Sequence, residues 1–318
     1  MEQNIAVVGG SSLDICAKST NDAILHDSNS GKVQFGVGGA ARNIAELMAI
    51  LGFNSSLLTA VSDNGFGNVI LSNAAQQGIM MLNPAIKDTE YQTGVYVYMA
   101  DYDGKYVMGI NELDITNLIT VDYVKKNINA LYFANDVVLD ANLPEETIAY
   151  LTEQNFKLFA ESVSVEKCIR LVPFLDKFYL LRANYAEAKK MTGKTEPDEI
   201  VRDFVKKGLS RGIITMGAKG SLYFEKSESG ISVFEVPAVN DDNFVDANGC
   251  GEAFLCGFMY GLMREHSIED SMFYGLSLAV INGRSMASVN RESISYEALA
   301  EMKEHLIKKN ISVSKRVL

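Results

Sequence analysis

Along most of the chain, short uninterrupted apolar runs alternate with stretches in which apolar residues return every three or four positions. The runs at residues 5–8, 56–61, 130–133, 157–160, 178–181 and 212–216 are a few residues long and apolar on both faces, which predicts buried parallel strands. Between them, Ile44, Leu47, Met48 and Leu51 follow the i, i+3, i+4, i+7 spacing of one helix face, and Gly52 supplies a C-terminal cap. This strand–helix alternation predicts an α/β fold, a doubly wound, mostly parallel sheet with helices on both faces. No linker, repeat or low-complexity stretch divides the sequence, so residues 1–318 read as a single domain.

Two segments break the alternation. Residues 94–99 and 105–110 flank Asp103-Gly104, and Val95, Val97 and Met99 alternate with Tyr96 and Tyr98, the period-two pattern of a hairpin. Residues 14–35 are equally unlike a helix, with 32–35 strand-like. Together they predict a small β-rich flap from segments at about 14–36 and 92–112. The alternative is two extra edge strands on the main sheet.

Composition narrows the chemistry. The chain has 318 residues, 47% hydrophobic and 22% charged, with a net charge of −11. No surplus of Lys and Arg is left to neutralise a nucleic-acid backbone. A small anion remains admissible, because backbone N–H groups at a helix N-terminus can hold one at no cost in net charge. Cys16, Cys168, Cys250 and Cys256 are scattered, and His26, His266 and His305 do not complete a ligand set with them. Reduced thiols are expected rather than zinc ligands or disulfides. The apolar run at 5–8 turns at Gly9-Gly10 and reads as a first strand rather than a signal peptide. No apolar stretch approaches the roughly 18 residues that span a bilayer, so a cytoplasmic protein without a membrane partner is expected.

Candidate chemistry gathers where predicted strands end. Gly36-Val-Gly-Gly-Ala-Ala-Arg-Asn43 leads into the helix described above, with glycines that admit a ligand close to the backbone and Asn43 one turn in. Asp246-Ala-Asn-Gly-Cys-Gly-Glu252 precedes an apolar helical run. Gly249 and Gly251 bracket that helix start, so its first N–H groups and dipole converge on one point, an arrangement suited to a transferring phosphoryl group. The Glu252 carboxylate on the first turn could take a proton from a hydroxyl. Leu181-Arg-Ala-Asn184-Tyr-Ala-Glu187 places an amide and a carboxylate where Mg²⁺-bound water could be oriented. Thr215-Met-Gly217-Ala-Lys-Gly220 is a further glycine-rich strand end. Ligands of open α/β sheets gather beyond such ends. Thr192-Gly-Lys-Thr195 is not a P-loop, because Ala188 stands where the first glycine is required.

In this order the motifs resemble the ribokinase-like (PfkB) carbohydrate kinases over nearly the whole chain. The matching pieces are Gly9-Gly10 with Asp14, Gly38-Gly39 to Asn43, Asn184 to Glu187, Thr215 to Gly220, and the 246–252 block, which corresponds to the family's D-T-x-G-A-G-D. The resemblance implies that the flap is a lid closing over a sugar, and that lids pair in homodimers. It implies that Asp14, Gly38, Gly39 and Asn43 hold the acceptor. Asn184 and Glu187 would organise Mg²⁺, through water, and phosphate, and Thr215, Gly217, Gly220 and Asn282 would border ATP. The acidic position closing the 246–252 block would be the catalytic base, with the N–H groups of Gly249, Cys250 and Gly251 around the transferring group.

Within the family the closer likeness is to pseudouridine kinases, carried by Lys32-Val-Gln-Phe-Gly-Val-Gly-Gly-Ala-Ala-Arg-Asn-Ile-Ala45, Asn111-Glu-Leu-Asp-Ile-Thr-Asn-Leu-Ile-Thr120 and Val138-Leu-Asp-Ala-Asn-Leu143. That alignment sets Asp140 and Asn142 where ribokinases carry sugar-contacting residues. The departures are Ala247 for Thr, Cys250 for Ala and Glu252 for Asp. Glu keeps the carboxylate but moves it by about one bond, ~1.5 Å, and misplacement of ~1 Å can cost on the order of a hundredfold in rate. Ala247 keeps its backbone carbonyl, so a monovalent-cation (K⁺) site using Asp246 stays open. The expected reaction is ATP-dependent phosphorylation of pseudouridine to pseudouridine 5′-phosphate. The alternatives are another sugar acceptor, ribose- or fructose-type, or a catalytically degenerate member that binds a nucleoside or nucleotide.

Overall fold

The computed structural model describes residues 3–83, 85–87, 89–103 and 106–318. Its strands in chain order are β1 (Asn4–Val8), β2 (Ser12–Ser19), β3 (Gly31–Gly38), β4 (Asn54–Leu58), β5 (Met80–Met81), β6 (Val95–Ala100), β7 (Tyr106–Glu112), β8 (Asp136–Asp140), β9 (Leu158–Glu161), β10 (Leu180–Asn184), β11 (Arg211–Thr215), β12 (Ser221–Ser227), β13 (Gly230–Val236) and β14 (Ser314–Val317). Its α-helices are α1 (Ala40–Ile50), α2 (Gly65–Gln76), α3 (Val121–Lys125), α4 (Ile128–Tyr132), α5 (Glu145–Thr152), α6 (Tyr185–Thr192), α7 (Pro197–Lys206), α8 (Cys250–Met263), α9 (Ile268–Asn282) and α10 (Tyr296–Lys308).

The main sheet has the order β14-β13-β12-β11-β10-β9-β8-β1-β4-β5. Pairing is parallel from β5 through β11 and antiparallel across β12, β13 and β14. The alternation of β1 shows why both faces are covered. Ile5 and Val7 enter one core with α1, α8, α9 and α10, and Ala6 and Val8 enter a second with α5, α6 and α7. Strands buried on both sides read as continuous apolar runs, which is the pattern met in the sequence.

The expected strand at 130–133 does not form. Residues 128–132 are α4, and the strand at this place in the sheet is β8, whose Val137 and Val138 are fully buried. A four-residue apolar run carries no period that separates helix from strand. Here the β-branched valines take the sheet, and the helix formers Ala130 and Leu131 take the turn before it. The antiparallel pair β12–β13 was not anticipated from the sequence.

The two irregular segments form a separate four-stranded sheet, β3-β2-β6-β7, rather than edges of the main one. Strand β2 pairs antiparallel with β3 and parallel with β6, setting Asp14 opposite Gly36 and Tyr96. The expected hairpin pairs β6 with β7, and Gly104 of its turn lies outside the described residues. Only residues 9–11 separate β1 from β2, so the small sheet rises directly from the carboxyl edge of the large one. Among the described residues no helix is long and apolar enough to cross a membrane.

Candidate active site

The carboxyl ends of β1, β8, β9, β10 and β11 lie side by side in the parallel sheet, and every motif singled out in the sequence lies at or near this edge or on an element leaving it. Gly39 is the N-cap of α1 at φ 96°. A Cβ there would stand 2.5 Å from Ser11 Cα and 2.6 Å from the Gly10 carbonyl oxygen, so neither the backbone angle nor the space admits another residue. Asp140, at the end of β8, accepts hydrogen bonds from the N–H of Gly10 (2.9 Å), Ala41 (3.1 Å) and Asn142 (2.9 Å) and from Asn142 Nδ2 (2.9 Å). This fully buried carboxylate pins the glycine turn to the start of α1. Asn142 Oδ1 in turn accepts from Lys167 Nζ at 2.7 Å. Asn43 is buried in α1, and its Oδ1 accepts from Arg42 Nη1 at 3.3 Å.

Asp14 projects from β2 into a cavity of about 440 Å³ lined also by Cys16, Phe35, Tyr98, Asn248 and Ser288, within the size range of small-molecule sites. Its carboxylate accepts from Ser12 Oγ (2.7 Å) and Ser288 Oγ (2.9 Å). Burial raises its proton affinity, and the two hydroxyls and the Arg42 charge oppose that rise. Gly38 lies so close that a Cβ would overlap the Asp14 carboxylate. Tyr98 OH donates to Asp246 Oδ2 at 3.2 Å. Two side chains of the small sheet are thereby fastened to the two loops that frame the start of α8.

That start is built around Gly249, the N-cap of α8 at φ 73°. A Cβ on it would lie 2.0 Å from the Ser288 carbonyl oxygen. Asn282, fully buried at the end of α9, donates from Nδ2 to the carbonyls of Asn248 (3.3 Å) and Ser288 (3.1 Å), and its Oδ1 accepts from Asn290 N–H (2.9 Å). It braces the two loops against each other. The Cys250 N–H donates to the Ala247 carbonyl at 3.1 Å and so is satisfied within its own turn. Glu252 is half-buried on the first turn. Burial raises its proton affinity, the Arg182 charge opposes this, and Glu187 and Asp140 add to it.

Asn184 and Glu187 close a reciprocal capping box at the start of α6. Glu187 Oε2 accepts from Ser162 Oγ (2.5 Å) and Asn184 N–H (2.7 Å), and Oε1 accepts from Asn184 Nδ2 (2.7 Å). Thr215 ends β11, where its Oγ1 accepts from Arg182 Nη2 at 2.6 Å. The turn Gly217–Lys219 closes at Gly220, whose carbonyl accepts from Met216 N–H at 2.8 Å. Gly193, in the rejected P-loop likeness, is the left-handed C-cap of α6. Among the described residues no three His, Cys, Asp or Glu side chains are grouped to hold a metal.

Sequence reasoning passed over Arg182, Glu161, Tyr98 and Ser288. For the first two a signal existed, since each is a charge ending or interrupting an apolar strand run, in Leu180–Asn184 and Leu158–Glu161. Ser288 lies in a serine-rich loop without period, and nothing local marks it.

A family model for pfkB family carbohydrate kinases matches residues 2–291. The chain is 30% identical over 261 residues to a pseudouridine kinase of Escherichia coli K12, covering 80% of this chain and 82% of that protein. It is 25% identical over 283 residues to a ribokinase of Lactococcus lactis, covering 84% and 86%. Among solved structures, a carbohydrate kinase from Agrobacterium tumefaciens superposes with a TM-score of 0.82 at 22% identity, covering 99% of this chain and 100% of that one. An Arabidopsis thaliana ribokinase complexed with ribose and ATP gives a TM-score of 0.78 at 16% identity, covering 96% and 99%.

Proposed function

The chain belongs to the pfkB family of carbohydrate kinases, a sugar or nucleoside kinase, and we propose that it transfers the γ-phosphoryl group of ATP to the 5′-hydroxyl of pseudouridine. The observation that carries the choice of acceptor is the 30% identity to a pseudouridine kinase over 80% of the chain. The site geometry supports the chemistry. Asp14, projecting from the small sheet into the cavity, holds acceptor hydroxyls, and Gly38 and Gly39 let the acceptor lie against the backbone. Asp140, with Asn142 bonded to it, acts one step back, by fixing Gly10 and the start of α1. Asn43 is held beside them by Arg42.

ATP lies along the other side, bordered by Asn184, Thr215, Gly217 and Gly220, with Asn282 steadying the loops that meet its phosphates. As the acceptor oxygen bonds to the γ-phosphorus, the bond to the ADP oxygen breaks, and the acceptor proton passes to Glu252. With the Cys250 N–H turned to Ala247, the N–H groups of Gly249 and Gly251 and the helix dipole face the charge on the transferring group. Asn184 and Ser162 together occupy three of the roughly four acceptor sites of Glu187. Such a carboxylate fits the water shell of a cation better than its inner sphere. Glu187 and Asn184 would order the waters of a Mg²⁺ brought by the nucleotide, an ion that would neutralise the phosphates. Asp246, already bonded by Tyr98 and by Asn248 N–H (3.1 Å), is the residue through which K⁺ would act.

On the small sheet Phe35 is 70% and Ile110 66% exposed, an apolar surface that supports lid pairing in a homodimer in the cytoplasm. The test of function is ADP release from MgATP with pseudouridine, uridine, ribose, fructose and fructose 6-phosphate, with and without K⁺. Release that depends on pseudouridine supports the reading, and release with another acceptor alone replaces it. A second reading, a member that binds nucleoside or nucleotide without turnover, is favoured by Glu252 standing where the family motif has Asp. ATP binding without release for any acceptor would support it.

A further inference from the structure

Strand β10 carries a charge inside an apolar run. Arg182 is buried, 7% exposed; its guanidinium lies 2.7 Å from Glu161 Oε1 at the end of β9 and donates to Thr215 Oγ1 at the end of β11. A Cβ on Gly251 would stand 2.0 Å from its Nη2. The guanidinium therefore presses on the first turn of α8, one residue before Glu252. Arg182 Nε and Glu161 Oε2 are buried without a hydrogen-bond partner among the described residues. A buried ion pair with unsatisfied atoms is a poor source of stability, because desolvation outweighs the attraction. Its presence at this point calls for another role.

The groups acting on Glu252 come from every element around it. They are Arg182 from β10, Glu187 from α6, Asp140 from β8, Glu161 from β9, and the thiols of Cys250 and Cys256 on α8. Arg182 is the one cation in that set. Without that cation, burial and the neighbouring acids would push the proton affinity of Glu252 higher still. We propose that Arg182, clamped by Glu161 and Thr215 against Gly251, is a positioning residue that keeps Glu252 ionised for proton acceptance. The proposal rests on the reading of Glu252 as the base.

The experiment is the pH profile of kcat/KM for the preferred acceptor of the panel above, with Arg182→Lys, Arg182→Gln and Glu252→Gln. Arg182→Gln keeps hydrogen-bond donors and removes the charge. Its acid limb is expected to move to higher pH, by on the order of one unit, with activity regained at alkaline pH. Arg182→Lys is expected to lose rate while keeping the wild-type limb. A profile lowered in parallel at every pH, for Lys and Gln alike, would reduce Arg182 to a packing residue and overturn the proposal. If Arg182→Gln does not fold, the double variant Arg182→Gln/Glu161→Gln removes both charges without orphaning either, and is compared with Glu161→Gln alone, against which its limb must still shift upward. Carbon-13 carboxyl spectra of glutamate-labelled protein follow the resonance lost in Glu252→Gln, and read the same shift where turnover is too slow to measure. Glu252→Gln separates the two claims. Full activity in that variant defeats the base reading itself, whereas an inactive Glu252→Gln beside an unshifted Arg182→Gln defeats the present proposal alone.

Discussion

The Ser288 hydroxyl donates to the Asp14 carboxylate across 2.9 Å, although the two residues stand 274 positions apart. One belongs to a loop behind α9, the other to a strand of the small sheet, and with Tyr98 to Asp246 (3.2 Å) the bond fastens the small sheet to the loops at the start of α8. Ser288→Ala removes one donor from a desolvated carboxylate. A hydrogen bond to a charged group contributes about 1.5–3 kcal/mol, so KM for the acceptor is expected to rise roughly tenfold or more with a smaller change in kcat. Steady-state kinetics against acceptor concentration at saturating MgATP check this.

Glu252 must be ionised to accept a proton, and burial raises its proton affinity above the ordinary glutamate value. The rate should therefore fall as pH drops through that raised value, with an acid limb above the ordinary inflection near about 4.3. Glu252→Gln should lower kcat by ~10²–10⁴-fold and abolish that limb. Glu252→Asp, which retracts the carboxylate, should lower it by on the order of a hundredfold. An Asp variant faster than the parent would count against a site built around Glu.

Gly249→Ala tests the helix start. A side chain at φ 73° costs about 1–2 kcal/mol, and the Ser288 carbonyl leaves no room for a Cβ. The expected result is a loss of roughly 2 kcal/mol or more in denaturant unfolding, with weakened MgATP binding by calorimetry.

Asp140→Ala tests the role of the buried carboxylate. It would strand the N–H groups of Gly10 and Ala41 and the Asn142 amide, each at about 1–3 kcal/mol. The urea midpoint is expected to fall by the equivalent of about 3 kcal/mol or more. An unchanged midpoint would mean that the carboxylate does not order the turn.

The strand runs at 5–8, 157–160 and 212–216 were legible because burial on both faces leaves a mark that each segment carries alone. The 246–252 block was legible because glycines before an apolar helix announce a turn that only glycine can make, and Gly249 at φ 73° is that turn. The run at 130–133 was not, since four apolar residues fit a helix turn and a strand equally well. Arg182 stood in a quoted motif and passed unremarked, because its meaning lies in Glu161, Thr215 and Gly251, none of them its neighbour in sequence.

By itself the sequence determined the alternation of strands and helices, the β character of the two irregular segments, and the residues that fall at the strand ends. These follow from local period and from backbone angles, which a residue and its near neighbours set. Only the tertiary structure decided which polar groups face the cavity and which are spent inside the protein. Asp14 faces it, whereas Asp140, Asn282 and the Cys250 N–H are turned to the backbone. The reason is that a polar atom's role depends on the partner that satisfies it, and those partners arrive from elements as much as 274 residues away.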